Sequence, residues 1–179
     1  MNQKIMIVDD FYDIAHMYHK SIVEDNQLLI TQETQEKLEY LLDTPLEIEG
    51  LNDVRQESTE DPVVVNYSLD WIAVIYLTMP THCVSKRGLS FYKHKSTNLD
   101  IFPTDYNCKV FGWNSIDDVT KSFDTLDKEQ WEEYSKVFVK YNRCVLFRAN
   151  LWHSYGEGFG NDLNNSMINQ RLLIRNGKR

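Results

Sequence analysis

Cysteine is scarce. The three residues, Cys83, Cys108 and Cys144, form no C-x-x-C pair. A sparse, odd set excludes a disulfide scaffold and a cysteine-only zinc site, and it predicts a reducing compartment. Long apolar runs are missing too. No stretch approaches the length of a membrane span, and the first residues lack a signal-peptide pattern. A soluble, cytoplasmic protein with no membrane partner is therefore expected. Positive charge is in deficit, with 19 Lys and Arg against 27 Asp and Glu and a formal net charge of −8. An acidic domain repels phosphate backbones, which excludes nucleic acid as a general partner. Internal repeats and low-complexity tracts are absent.

What is present is a foldable chain. At 179 residues it is long enough for one domain, 1–179, with its own core. Hydrophobic residues make up 42% and aromatics 12%, and Tyr and Trp recur inside apolar runs, which suits a β-rich body with a wide interior. The few cations cluster at Lys86-Arg87, at Lys93-His94-Lys95 and at Arg171, Arg175, Lys178 and Arg179. They read either as solvated loop and tail charge or as a local anion pocket.

Lys4 to Val8 reads as a short strand. Asp9-Asp10 then offers an N-cap, and Phe11, Ile14, Ala15, Tyr18 and Ile22 predict a helix over 11–24. His16 and His19 sit three apart on it, on a face that reads as solvated. Thr31 looks like a second N-cap, with Leu38, Leu41 and Leu42 as the apolar stripe and Pro45 as the stop. Residues 46–62 read as an acidic loop with a short strand near Leu51 to Glu57. Val63 to Val65 is a β-branched run, and Trp71 to Leu77 is apolar on both faces, as a buried central strand should be. Gly88 to Tyr92 is a further strand. Residues 96–124 are polar and lack clear periodicity, the mark of a lid, a binding insert or a disordered connection. Asp124 or Thr125 caps an expected helix that carries Trp131, Tyr134, Phe138 and Tyr141.

The last forty residues organise the rest. A strand-like run, Cys144 to Phe147, ends in a turn, and His153 follows it. After a polar loop, Gln170 to Arg175 forms a second strand that carries Arg171. Arg175 lies four positions on, so an extended strand points it to the same side. The whole reads as α+β, with helices packed on a β-sandwich.

Four stretches together resemble the Fe(II)/2-oxoglutarate-dependent dioxygenases, in their prolyl-hydroxylase-like group and most narrowly a phage-encoded and bacterial type. They are Ile7 to Phe11, Trp71 to Pro80, Gly88 to Lys95, and Tyr141 through Ser154 with Phe159-Gly160 and Arg171-Leu172. The resemblance implies a double-stranded β-helix (jelly roll) with N-terminal helices on one face. It implies Fe(II) held by a His-x-Asp/Glu motif and a distal His, and an arginine fork on the far carboxylate of 2-oxoglutarate. His153 matches the distal ligand and Arg171 the co-substrate arginine, with Arg175 as the alternative and Tyr76 as a second hydrogen bond to the same carboxylate. If the protein is phage-encoded, the expected location is the host cytoplasm.

The His-x-Asp motif itself is missing. The stretch before Trp71 runs Val64-Val65-Asn66-Tyr67-Ser68-Leu69-Asp70. Asn66 with Ser68, or Asp70, are the nearest substitutes, and His82 and His94 are loop histidines that could approach. Two readings follow. One is an oxygenase that hydroxylates an unknown small-molecule or protein substrate through an unusual metal shell. The other is a non-catalytic jelly roll that serves as a binding or assembly module.

Overall fold

Every residue of β3 (Trp71–Tyr76) is buried, and the fold is laid out on both sides of it. The computed structural model describes residues 3–27, 29–57 and 61–177, so Lys178 and Arg179 lie outside the described residues. Before β3 come β1 (Ile5–Val8), α1 (Ala15–Val23), α2 (Gln32–Leu42) and β2 (Leu46–Arg55). After it come β4 (Gly88–His94), α3 (Asp105–Phe111), α4 (Ile116–Ser122), β5 (Trp131–Phe138), β6 (Arg143–Arg148), β7 (His153–Ser154) and β8 (Met167–Asn176). One sheet has the order β1-β6-β3-β8-β2 and the other β5-β4-β7, and every named pairing is antiparallel.

Alternation along the strands divides the core in two. Trp71, Ala73 and Ile75 of β3, Cys144 and Leu146 of β6, and Ile168, Leu172 and Ile174 of β8 face the helices. There they meet Ala15, Tyr18 and Ile22 of α1 and Leu38 of α2. The other faces of the same strands send Ile72, Val74, Tyr76, Val145, Phe147 and Met167 toward Leu89, Phe91 and Val137 of the small sheet. Arg171 and Asn169 share a face with Met167 and therefore point between the sheets. The third cluster joins Val63, Tyr92, Val119, Phe123, Trp131 and Trp152 beneath the 96–124 segment.

Several expectations change. The helix expected to carry Trp131, Tyr134, Phe138 and Tyr141 is a strand, β5. Its pairing with β4 passes from Phe91↔Ser135 to Tyr92↔Glu133, so Tyr134 is the extra residue of a bulge. The bulge breaks the period of two, so Trp131 faces the third cluster while Val137 faces the space between the sheets. The interrupted alternation imitates helical spacing. The first helix starts at Ala15 rather than residue 11. The Asn142 amide holds Tyr12 in place instead: its Oδ1 accepts from Tyr12 N and its Nδ2 donates to Tyr12 O, both at 2.8 Å. The acidic stretch after Pro45 is a ten-residue strand, β2, paired along its length with β8. Residues 96–124 contain two short helices, α3 and α4. Thr31 does cap α2, accepting from Thr34 N. Among the described residues, no helix is long and apolar enough to cross a membrane.

The packing of α2 on the large sheet gives a direct test. Leu38 is fully buried and Tyr40, two positions on, is 87% exposed. Leu38→Ala is expected to cost about 2–5 kcal/mol in urea denaturation, and Tyr40→Ala less than about 0.5 kcal/mol. Equal losses at the two positions would contradict this orientation of the helix.

Candidate functional site

His153 is set by a short turn. β6 ends at Arg148, and Leu151 N donates back to Arg148 O at 3.1 Å. The turn brings β7 under β4, with His153 opposite Phe91 and Ser154 opposite Ser90. The imidazole is 1% exposed. It packs edge-on against Phe147 and Tyr155, with centroids at 4.8 and 5.0 Å. Its Nδ1 lies 2.8 Å from Leu151 O. A carbonyl can only accept, so Nδ1 carries the proton and Nε2 keeps a lone pair. Nε2 is buried without a hydrogen-bond partner. Burial pushes the imidazole down to about 4, and Arg171 acts in the same direction while the Leu151 hydrogen bond opposes. The ring is neutral at pH 7.

The residue facing this histidine is Val64. The two exchange both backbone hydrogen bonds, Val64 N to His153 O at 2.7 Å and His153 N to Val64 O at 2.9 Å. Directly paired residues project to one side of the ladder. A ligand pair spaced i, i+2 on this side would come from Val64 and Asn66, not from Asn66 and Ser68. Val64 offers only methyl groups. The Asn66 Oδ1 accepts from Ser68 N at 3.2 Å and from Ser68 Oγ at 2.9 Å, closing its own turn.

The other candidates stand elsewhere. Asp70 Oδ2 accepts from Asn176 N at 2.9 Å, at the far end of β8. His82 is exposed at the end of a 3-10 turn. His94 is buried against Phe123 and Trp131, with Nδ1 3.0 Å from Thr97 Oγ1. His16 is exposed, and His19 Nδ1 lies 2.8 Å from Leu77 O. Among the described residues, no group of three His, Cys, Asp or Glu side chains is arranged to hold a metal ion.

Arg171 does reach the space around His153. Its guanidinium lies 3.7 Å from the Tyr155 ring centroid, and its Nη2 is 2.6 Å from Asp53 Oδ2. Asp53 is the direct partner of Asn169 in the β2–β8 ladder. Arg55, two positions along β2, lies between two carboxylates, 3.8 Å from Asp53 and 3.5 Å from Asp61. Asp61 also accepts from Ser154 Oγ at 2.6 Å, Gly156 N at 2.9 Å and Lys128 Nζ at 2.8 Å. Burial raises the Tyr155 phenol above its ordinary range, with Arg171 opposing.

Tyr76 stands in the same row as this cluster, opposite Asn169 across the β3–β8 ladder, but its hydroxyl is already engaged, and Arg175 lies apart. The Tyr76 hydroxyl accepts from Leu89 N at 2.9 Å, and burial raises its pKa. Arg175 is near the strand end, 3.5 Å from Glu49. Sequence reasoning missed Asp53, Arg55, Asp61 and Tyr155. The available signal was the i, i+2 spacing of Asp53 and Arg55, which a loop reading of 46–62 concealed.

Comparison with solved structures gives the fold a counterpart. The chain is similar to HygX from Streptomyces hygroscopicus with nickel and 2-oxoglutarate bound, at a TM-score of 0.55 and 8% identity, covering 97% of this chain and 82% of HygX. The iron-bound HygX structure matches over the same shares, at a TM-score of 0.52 and 11% identity. The fold is thus like that of HygX, at an identity too low to carry more. No protein-family model matches the sequence, and no curated protein matches it.

The buried histidine has a pH signature. Its folded pKa of about 4 lies below the ordinary histidine value of about 6.5. The unfolded chain therefore binds the extra proton first, and stability present above pH 6.5 is lost as pH falls toward 4. The loss is on the order of 3 kcal/mol. Urea denaturation between pH 7 and pH 4.5 is expected to show this slope in the wild-type chain and a flatter one in His153→Gln. Identical slopes would place the imidazole in contact with solvent.

Proposed function

We propose that this chain is a jelly roll of the 2-oxoglutarate-oxygenase type that builds no iron centre and works as a binding module. The fold likeness to HygX and the strand order of the two sheets support the architecture. The observation that carries the functional reading is the pairing of His153 with Val64.

An iron centre of this class needs two imidazoles and a carboxylate on one side, with open positions left for the 2-oxo acid and oxygen. The residues present do not fit that requirement. His153 supplies one imidazole, its cross-strand neighbour is an alkyl group, and Asn66 and Asp70 spend their oxygens on backbone hydrogen bonds. A single neutral nitrogen is a weak hold on Fe(II).

What the fold retains is a recess beside that position. Val63 and Val65 with Phe102, Phe123 and Trp152 line an apolar cavity of about 370 Å³. Three of the lining residues, Phe102, Val119 and Phe123, come from the 96–124 segment. This suits an apolar group on a small molecule or a protein, held for recognition and not for oxidation.

One observation favours the competing reading, a working oxygenase. The His153 tautomer, with Nδ1 donating to a carbonyl and Nε2 bare, is that of a metal-binding histidine. Calorimetric titration of Mn(II) under anaerobic conditions, with 2-oxoglutarate present, separates the two. The wild-type chain is expected to show no binding up to about 1 mM. Val64→His with Asn66→Asp, which places an imidazole opposite His153 and a carboxylate two positions along, is expected to bind at least about tenfold more tightly. Wild-type binding in the micromolar range, with succinate formed from 2-oxoglutarate, would establish the oxygenase instead.

A further inference from the structure

We infer that the chain fills its own co-substrate position: the Asp53 carboxylate stands on Arg171 where the far carboxylate of 2-oxoglutarate would stand, and closes the space between the sheets to that ligand. The inference rests on the resemblance of Arg171 to a co-substrate arginine and on the binding-module reading above.

Three observations support it. The first is register. Asp53 faces Asn169 across the ladder, and Arg171 is the next residue of β8 on that side. The carboxylate thus enters the space from β2, and it meets Arg171 Nη2 at 2.6 Å. The second is the count of charge. Arg55 and Arg171 stand against Asp53 and Asp61, all with little exposure. Lys128 reaches Asp61 from the more exposed side, so the cluster carries a single excess cation, already engaged by Asp61 and away from Arg171, and a further carboxylate at Arg171 would meet Asp53 as a like charge.

The third observation is the incompleteness of the grip. An arginine fork satisfied by a carboxylate engages two nitrogens in parallel. Here Arg171 Nε is buried with no hydrogen-bond partner, and the short Nη2 approach to Asp53 is not aligned as a hydrogen bond. Asn169 Oδ1 and His153 Nε2 are also buried and unpartnered. A carboxylate tethered to β2 reaches one prong of the fork. A free one could turn to meet both. The unpaired atoms mark a polar position that the tethered group covers but does not fully satisfy.

The test follows thermal denaturation with 2-oxoglutarate, in chelator-treated buffer, for the wild-type chain, Asp53→Ala, Asp53→Asn, and Asp53→Ala combined with Arg171→Gln. Asp53→Ala is expected to gain saturable stabilisation at least about tenfold tighter than wild type, and Arg171→Gln is expected to abolish it. Asp53→Asn keeps the side-chain volume and removes the charge. It stands in if the alanine variant does not fold, and the same gain over wild type is expected. The inference is overturned if the folded variants bind 2-oxoglutarate no better than wild type, or if the gain survives Arg171→Gln. A Mn(II) titration of the same wild-type sample keeps the two ideas apart. Metal binding there overturns the binding-module reading, while the ratio of variant to wild-type 2-oxoglutarate affinity alone decides the role of Asp53.

Discussion

β8 is buried on both faces, and its alternation is the constraint on which the rest of the molecule depends. Ile168, Leu172 and Ile174 must meet the helices, and Met167, Asn169, Arg171 and Leu173 must meet the small sheet. A slip of one residue would exchange the two sets and drive a guanidinium against Leu38 and Ile22. Both flanking strands are fixed by this requirement. β3 presents Val74 beside Arg171, and β2 presents Asp53 beside Asn169. The positions of Asp53, Arg55 and Arg171 are therefore a result of the apolar pattern, while Asp61 and Tyr155 are brought to them from outside the strands.

Charge placed there has to be balanced locally. An uncompensated guanidinium in such a space costs several kcal/mol. Asp53, Asp61 and the Tyr155 ring supply the balance, and Gly156 adds a carbonyl that accepts from Arg55 Nε at 3.0 Å. Gly156 has φ of +87°, and a Cβ there would lie 2.2 Å from Gly88 O. The chain can turn past β4 at this point only without a side chain, and the turn carries Tyr155 over Arg171. Fold and site thus share the same few residues.

The sequence was most legible where periodicity was clean. The all-apolar run at Trp71, the cap at Thr31 and the strand that carries Arg171 all appear in the structure. It misled where one extra residue, Tyr134, broke the alternation of a strand into an apparent helix. It concealed β2, because Glu47, Glu49, Asp53 and Arg55 make four of its ten residues charged and so resemble a loop. The candidate site was legible at its two ends, His153 and Arg171. The absence of a proximal histidine was also plain, but the position it leaves was not. Only the backbone bridge shows that Val64 is the residue directly opposite His153. Asp53 could not be foreseen, since its meeting with Arg171 depends on a pairing between segments more than a hundred residues apart.

The central claim is that His153 is a neutral histidine buried beside an alkyl group, not a metal ligand. Long-range ¹H–¹⁵N spectra of the imidazoles at pH 7, recorded before and after Mn(II) and 2-oxoglutarate are added, test it most directly. The account predicts Nδ1 protonated, Nε2 bare, and both His153 signals unbroadened by the paramagnetic ion. Selective loss of the Nε2 signal on addition of Mn(II) would show the metal bound at that nitrogen and would contradict it.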